Sequence, residues 1–105
     1  MMQYPVEARL LPAHSFARST FYLPAGSNFV CEVYANGGGV GVYLLDGLNL
    51  QLFLAGQPWN YTRGFDPAVV NQLNLIVPHD DHWTLLLWNP NPIPVQYTRH
   101  LIVGQ

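Results

Sequence analysis

The stretch NQLNLIVPHDDHWTLLLWN, residues 71–89, constrains this chain more than any other part of it. In its first arm Leu73, Leu75 and Val77 alternate with Gln72, Asn74 and Ile76, the period-two pattern of a strand with one buried face. The second arm is apolar on both sides, with Trp83, Leu85 and Leu87 pointing one way and Thr84, Leu86 and Trp88 the other. Such a strand belongs mid-sheet with cover on each side. Pro78 removes a ladder donor and His79-Asp80-Asp81-His82 supplies turn formers, so the two arms are expected to form a hairpin with a solvated tip. Loop tips carry few buried contacts, so replacing Asp80 and Asp81 together by alanine is expected to change stability by no more than about 1 kcal/mol.

Further strands follow from the same alternation. Residues 28–35 place Phe29, Cys31 and Val33 on one face, residues 14–23 alternate throughout, and residues 40–45 and 95–103 add two more. Residues 3–11 carry Pro5, which suits an edge. The run LNLQLFLAG, residues 48–56, fits either a strand or a short helical turn, and its length favours the strand. Residues 59–63 read as a short edge strand, and residues 65–70 as an irregular connection with at most one helical turn capped at Asp66. The punctuation agrees: Pro24-Ala25-Gly26-Ser27 is a turn, Asn36-Gly37-Gly38-Gly39 a hairpin signal, Asn89-Pro90-Asn91-Pro92 a rigid corner. Seven to nine short strands without a long amphipathic helix predict an all-β chain, an antiparallel β-sandwich of jelly-roll-like form.

Composition bounds what such a sandwich can do. A chain of 105 residues forms one domain, residues 1–105, and buries roughly two thirds of the surface its unfolded form exposes. The single cysteine, Cys31, allows no internal disulfide, which together with the lack of a leader predicts a cytoplasmic protein. No apolar run approaches a membrane span, so membrane insertion is not expected. Charged residues make up only 10% of the chain, against about 25% in ordinary domains, and lysine is absent. A surface so poor in charge favours a protein partner or a homo-oligomer. With Arg9, Arg18, Arg63 and Arg99 as the permanent cations and a net charge of -2, no patch neutralises phosphates and no nucleic acid is expected.

The order of turns also resembles a family. Leu23 and Gly26 precede a valine-rich strand, Val42, Leu44, Asp46 and Asn49 follow, and Ile76, Pro78, His82 and Trp83 come next; this is similar to the pattern of the DUF1883 family of small bacterial β-sandwich domains. The strand that runs from Trp83 to Asn89 is also reminiscent of GOLD-type sandwiches. The resemblance implies a β-sandwich and, by analogy with members joined to signalling domains, a recognition or assembly role.

Candidate chemistry is sparse. His79 and His82 are the residues a metal-dependent hydrolase would use, but four consecutive side chains on one turn diverge, and a metal site needs ligands that converge. No metal and no cofactor is expected. No nucleophile, base and orienting group fall into a recognisable set, and Asp46 near Asn49 reads as a turn bracket, so the chain is not expected to be an enzyme. What remains is Trp59, Tyr61 and Trp88, with Arg63 and Asn89 beside them. Aromatics among amides can anchor a protein or stack on a sugar ring. The leading expectation is a non-enzymatic recognition module that binds protein through apolar sheet surface, and the alternative a carbohydrate or small-ligand module.

Overall fold

In the computed structural model, which describes residues 2–104 and the first two of these by backbone alone, nine strands and one short helix are present. They are β1 (Met2–Gln3), β2 (Glu7–Leu11), β3 (Ser15–Leu23), β4 (Asn28–Asn36), β5 (Val40–Leu45), α1 (Gly47–Leu54), β6 (Arg63–Ala68), β7 (Val70–Ile76), β8 (Asp81–Asn89) and β9 (Val95–Gly104). One sheet runs β1-β9-β4-β7, with β2 also against β9, and the other runs β3-β8-β5-β6. All pairings are antiparallel. The rungs β2·β9, β3·β8, β4·β7 and β5·β6 define one long ribbon whose two arms run back along each other. Rolling that ribbon sends successive rungs into alternate sheets, which is the jelly-roll arrangement.

The sandwich is as expected, but the hairpins are not. β7 and β8 lie in different sheets, and so do β4 and β5. Turn-forming residues encode a reversal of the chain without fixing whether it stays in one plane. Here the apolar faces decide: Leu73 and Leu75 of β7 must face Trp83, Leu85 and Leu87 of β8 across the core, not lie beside them. The mid-sheet position of β8 holds, between β3 and β5, and its residues 83–87 are buried on both faces.

The cover on the outer face of β8 is a helix, in place of the strand expected for residues 48–56. Asp46 caps it, its Oδ1 accepting the Asn49 backbone N–H at 2.9 Å. At the other end Gly56 adopts φ 71°, Gly56 N–H donates to Phe53 and Gln57 N–H to Leu52, at 3.2 and 2.9 Å. That pair of bonds is the glycine-terminated stop of a helix. α1 packs on β8 and β5, where Leu86 and Leu45 are fully buried.

Two further expectations change. Residues 65–70 are not an irregular connection but largely strand β6, whose edge position tolerates Pro67; the expected strand at 59–63 begins only at Arg63. The register along β6 slips: Val42 sits opposite Phe65 but Val40 opposite Ala68, so three steps on β6 match two on β5, a bulge at Asp66-Pro67. The turn before β8 is exposed as expected, with Asp81 half-buried, but its carboxylates are engaged. Asp80 Oδ1 accepts the Ala25 N–H at 2.6 Å, while the Asp81 carboxylate accepts the N–H groups of Gly47 at 3.1 Å and His82 at 2.7 Å. The two carboxylates thus fasten the turn before β4 and the start of α1. The Asp80→Ala/Asp81→Ala double variant is therefore expected to lose about 1–3 kcal/mol, because charged acceptors lose their donors; a urea midpoint equal to that of the wild type would show these bonds to be idle.

Candidate binding site

Beyond the edge of α1, the outer face of the β3-β8-β5-β6 sheet carries an aromatic cluster. Phe16 of β3 and Trp88 of β8 are direct register partners, and their rings stack with centroids 4.3 Å apart at 22°. Tyr43 of β5 lies flat along the sheet. Two glycines make this possible: a Cβ on Gly41 would stand 2.6 Å from the Tyr43 hydroxyl, and one on Gly64 2.6 Å from its ring. Trp59, in the segment after α1, stands edge-on to Tyr43 at 5.9 Å and to Phe53 of α1 at 5.5 Å. Tyr61 tilts against Tyr43 at 5.1 Å, and Phe53 closes the ring of contacts on Phe16 at 5.0 Å.

Together Phe16, Tyr43, Trp59, Tyr61, Trp88 and Asp66 line a pocket of about 340 Å³. Asp66 lies two residues beyond Gly64, the register partner of Tyr43, and so shares its face of the sheet; it is the one charged residue of the lining. Burial first, then the Asp66 carboxylate and Tyr61, push the Tyr43 hydroxyl above its ordinary value of 10.0. The floor of the pocket is thus apolar, partly desolvated and biased toward negative potential.

The structure gathers Trp59 and Tyr61 with Trp88, which is distant from them in sequence, and leaves out the other two candidates. Arg63 is exposed and is not part of the lining. Asn89 faces the opposite way and is fully buried. Its amide nitrogen donates to the carbonyls of Leu11, Pro12 and Ile93 at 3.0–3.1 Å, and its Oδ1 accepts the Asn91 backbone N–H at 2.9 Å. It therefore ties the corner after β2 to the corner after β8. Phe16, Tyr43 and Asp66 were not legible as partners of the tryptophans, because strand register joins them.

The histidines of the turn separate: His79 packs on the Trp83 ring at 4.9 Å and His82 on Tyr22 at 5.4 Å. Among the described residues no three His, Cys, Asp or Glu side chains converge. Cys31 sits between the sheets with no exposure, and burial, partly offset by the charge of Arg99, pushes its thiol up to about 12. A thiol so placed stays protonated at neutral pH.

The fold and pocket define a jelly-roll β-sandwich with an aromatic depression on one outer sheet face. No family model matches the sequence, and no curated protein matches it. In fold the chain is similar to PliG of Aeromonas hydrophila, a periplasmic inhibitor of g-type lysozyme, with a TM-score of 0.59 over 93% of this chain and 85% of that one at 10% identity. The cytoplasmic location expected above is overturned by this likeness, since a protein of the same fold is periplasmic. The physical reason is Cys31 itself. A lone thiol sealed in the core is as inert in an oxidising compartment as in a reducing one, so the cysteine count carries no information about compartment.

Proposed function

We propose that the protein is a non-enzymatic binding module that docks a protein partner on the aromatic outer face of the β3-β8-β5-β6 sheet. The observation that carries this reading is a pocket lined by five aromatic side chains, of which Phe16 is 42% and Tyr61 47% exposed. Tyrosine and tryptophan dominate the energetics of protein contacts because they bury much area at little conformational cost. The likeness to PliG supports a periplasmic setting and an enzyme as the class of partner.

The test is a titration of purified g-type lysozyme with the wild type and with the Trp59→Ala/Tyr61→Ala variant. A complex in sedimentation and a saturable loss of lytic rate are expected for the wild type, both weakened at least about 100-fold in the variant, the effect of removing two hot-spot aromatics. Both side chains lie outside the core, so the variant should unfold at nearly the wild-type urea concentration. A variant that binds as well as the wild type would remove this face from the reading. Absence of any complex would remove the lysozyme, and self-association in the same runs would identify a second copy as the occupant.

A further inference from the structure

We infer that the aromatic pocket receives a single cationic side chain, the guanidinium of an arginine on the docked protein, with Asp66 as its counter-ion. This deepens the docking reading and rests on it. The lining offers five aromatic rings and one carboxylate, and no cationic residue is among them. Ring faces carry negative quadrupole potential, so a cation placed over Tyr43, Trp59 or Trp88 is attracted by the rings and by Asp66 together. The carboxylate is close enough to act on the floor, since its charge is among the causes that raise the proton affinity of the Tyr43 hydroxyl.

Size and polarity select the occupant. A volume of about 340 Å³ is at the lower end for ligand pockets and suits one long side chain, not an oligomer of sugars. A sugar ring also needs several directed hydrogen bonds, whereas the one charged group of this lining is the Asp66 carboxylate, beside two tyrosine hydroxyls and two indole N–H groups. Arginine fits better than lysine, because a planar guanidinium stacks on a ring while its fork of N–H groups meets a carboxylate. Asp66 follows Gly64, the register partner of Tyr43, by two residues, and so presents its carboxylate on the face that carries the rings. Complementarity extends to the whole chain, which has no lysine and a net charge of -2.

The experiment follows the indole N–H signals of Trp59 and Trp88 by NMR in the full chain. The probes are acetyl-Gly-Arg-Gly-amide, the same peptide with neutral citrulline, tetramethylammonium chloride and methyl β-glucoside. The arginine peptide is expected to shift both signals saturably and to bind about fivefold tighter than the citrulline peptide, the scale of a cation over exposed rings. Asp66→Asn is expected to weaken the arginine peptide by about threefold, the scale of a screened ion pair, and to leave the citrulline peptide unchanged. Equal binding of both peptides, indifference to Asp66→Asn, or preference for tetramethylammonium or the glucoside would each overturn the inference. Failure of the docking reading looks different. If Trp59→Ala abolishes a protein complex that Asp66→Asn leaves intact, the arginine falls and the docking face stands; if Trp59→Ala leaves the complex intact, the face itself is wrong.

Discussion

Leu85→Ala is expected to lower stability by about 2–5 kcal/mol, the range for removing a buried leucine from a packed core. Leu85 is 1% exposed on the inner face of β8, which is paired on both sides, so neither sheet can slide to fill the space. The neighbouring strands are held in register by unbroken ladders on the β3 side from Ser15 to Leu23, which limits relaxation. The contrast is with Leu48 of α1, a residue of the same type at 65% exposure. Its alanine variant should stay within about 0.5 kcal/mol of the wild type. Urea unfolding followed by tryptophan fluorescence measures both, and comparable losses would contradict the assignment of β8 as the centre of the sandwich.

Asn89→Ala should cost about 2–4 kcal/mol, although it removes no apolar group, because buried carbonyls and an N–H are left without partners. The carbonyls of Leu11, Pro12 and Ile93 and the Asn91 N–H all lose the same side chain at once. No other residue type supplies a donor and an acceptor in this shape: aspartate lacks the donors and leucine lacks both. Unfolding should therefore shift strongly in the alanine variant. Ligand binding at the pocket should persist in the folded fraction, since Asn89 faces away from it. A variant as stable as the wild type would mean that water replaces the amide.

How much of this was legible in the sequence depends on the range over which each feature is encoded. The alternation in residues 70–77 and the doubly apolar run from Trp83 to Trp88 specify strands locally, and these strands are where expected. The partition into two sheets was not legible. Pro78-His79-Asp80 and Asn36-Gly37-Gly38-Gly39 announce reversals, and only the packing of opposed apolar faces turns each reversal into an arch between sheets. The helix at residues 47–54 was written in its ends, in the Asp46 cap and the left-handed Gly56, while the alternating leucines between them argued for a strand. For the pocket, tryptophan and tyrosine content pointed at Trp59, Tyr61 and Trp88, but Asp66 meets the rings only because β6 pairs with β5 so that Gly64 lies opposite Tyr43. Asn89, adjacent in sequence to Trp88, shows the limit of sequence proximity, because successive residues of a strand face opposite sides.

The ribbon also has a direction in time. Residues 46–62 must close a loop before β5 can meet β6, whereas residues 12–94 separate β2 from β9, and the intermediate rungs fall between. Loop-closure entropy rises with the length enclosed, so the least costly place to begin folding is the bend at which the pocket is built. Each rung formed there shortens the effective loop for the next, and the chain closes like a zip from that bend toward its two ends. Tyr43 and Asp66 are therefore expected to come together early and the terminal strands late, an order that high φ-values in β5 and low ones in β9 would establish and the reverse pattern would refute. A chain caught part-way along this route would already display its aromatic face while the β2·β9 edge still lay open.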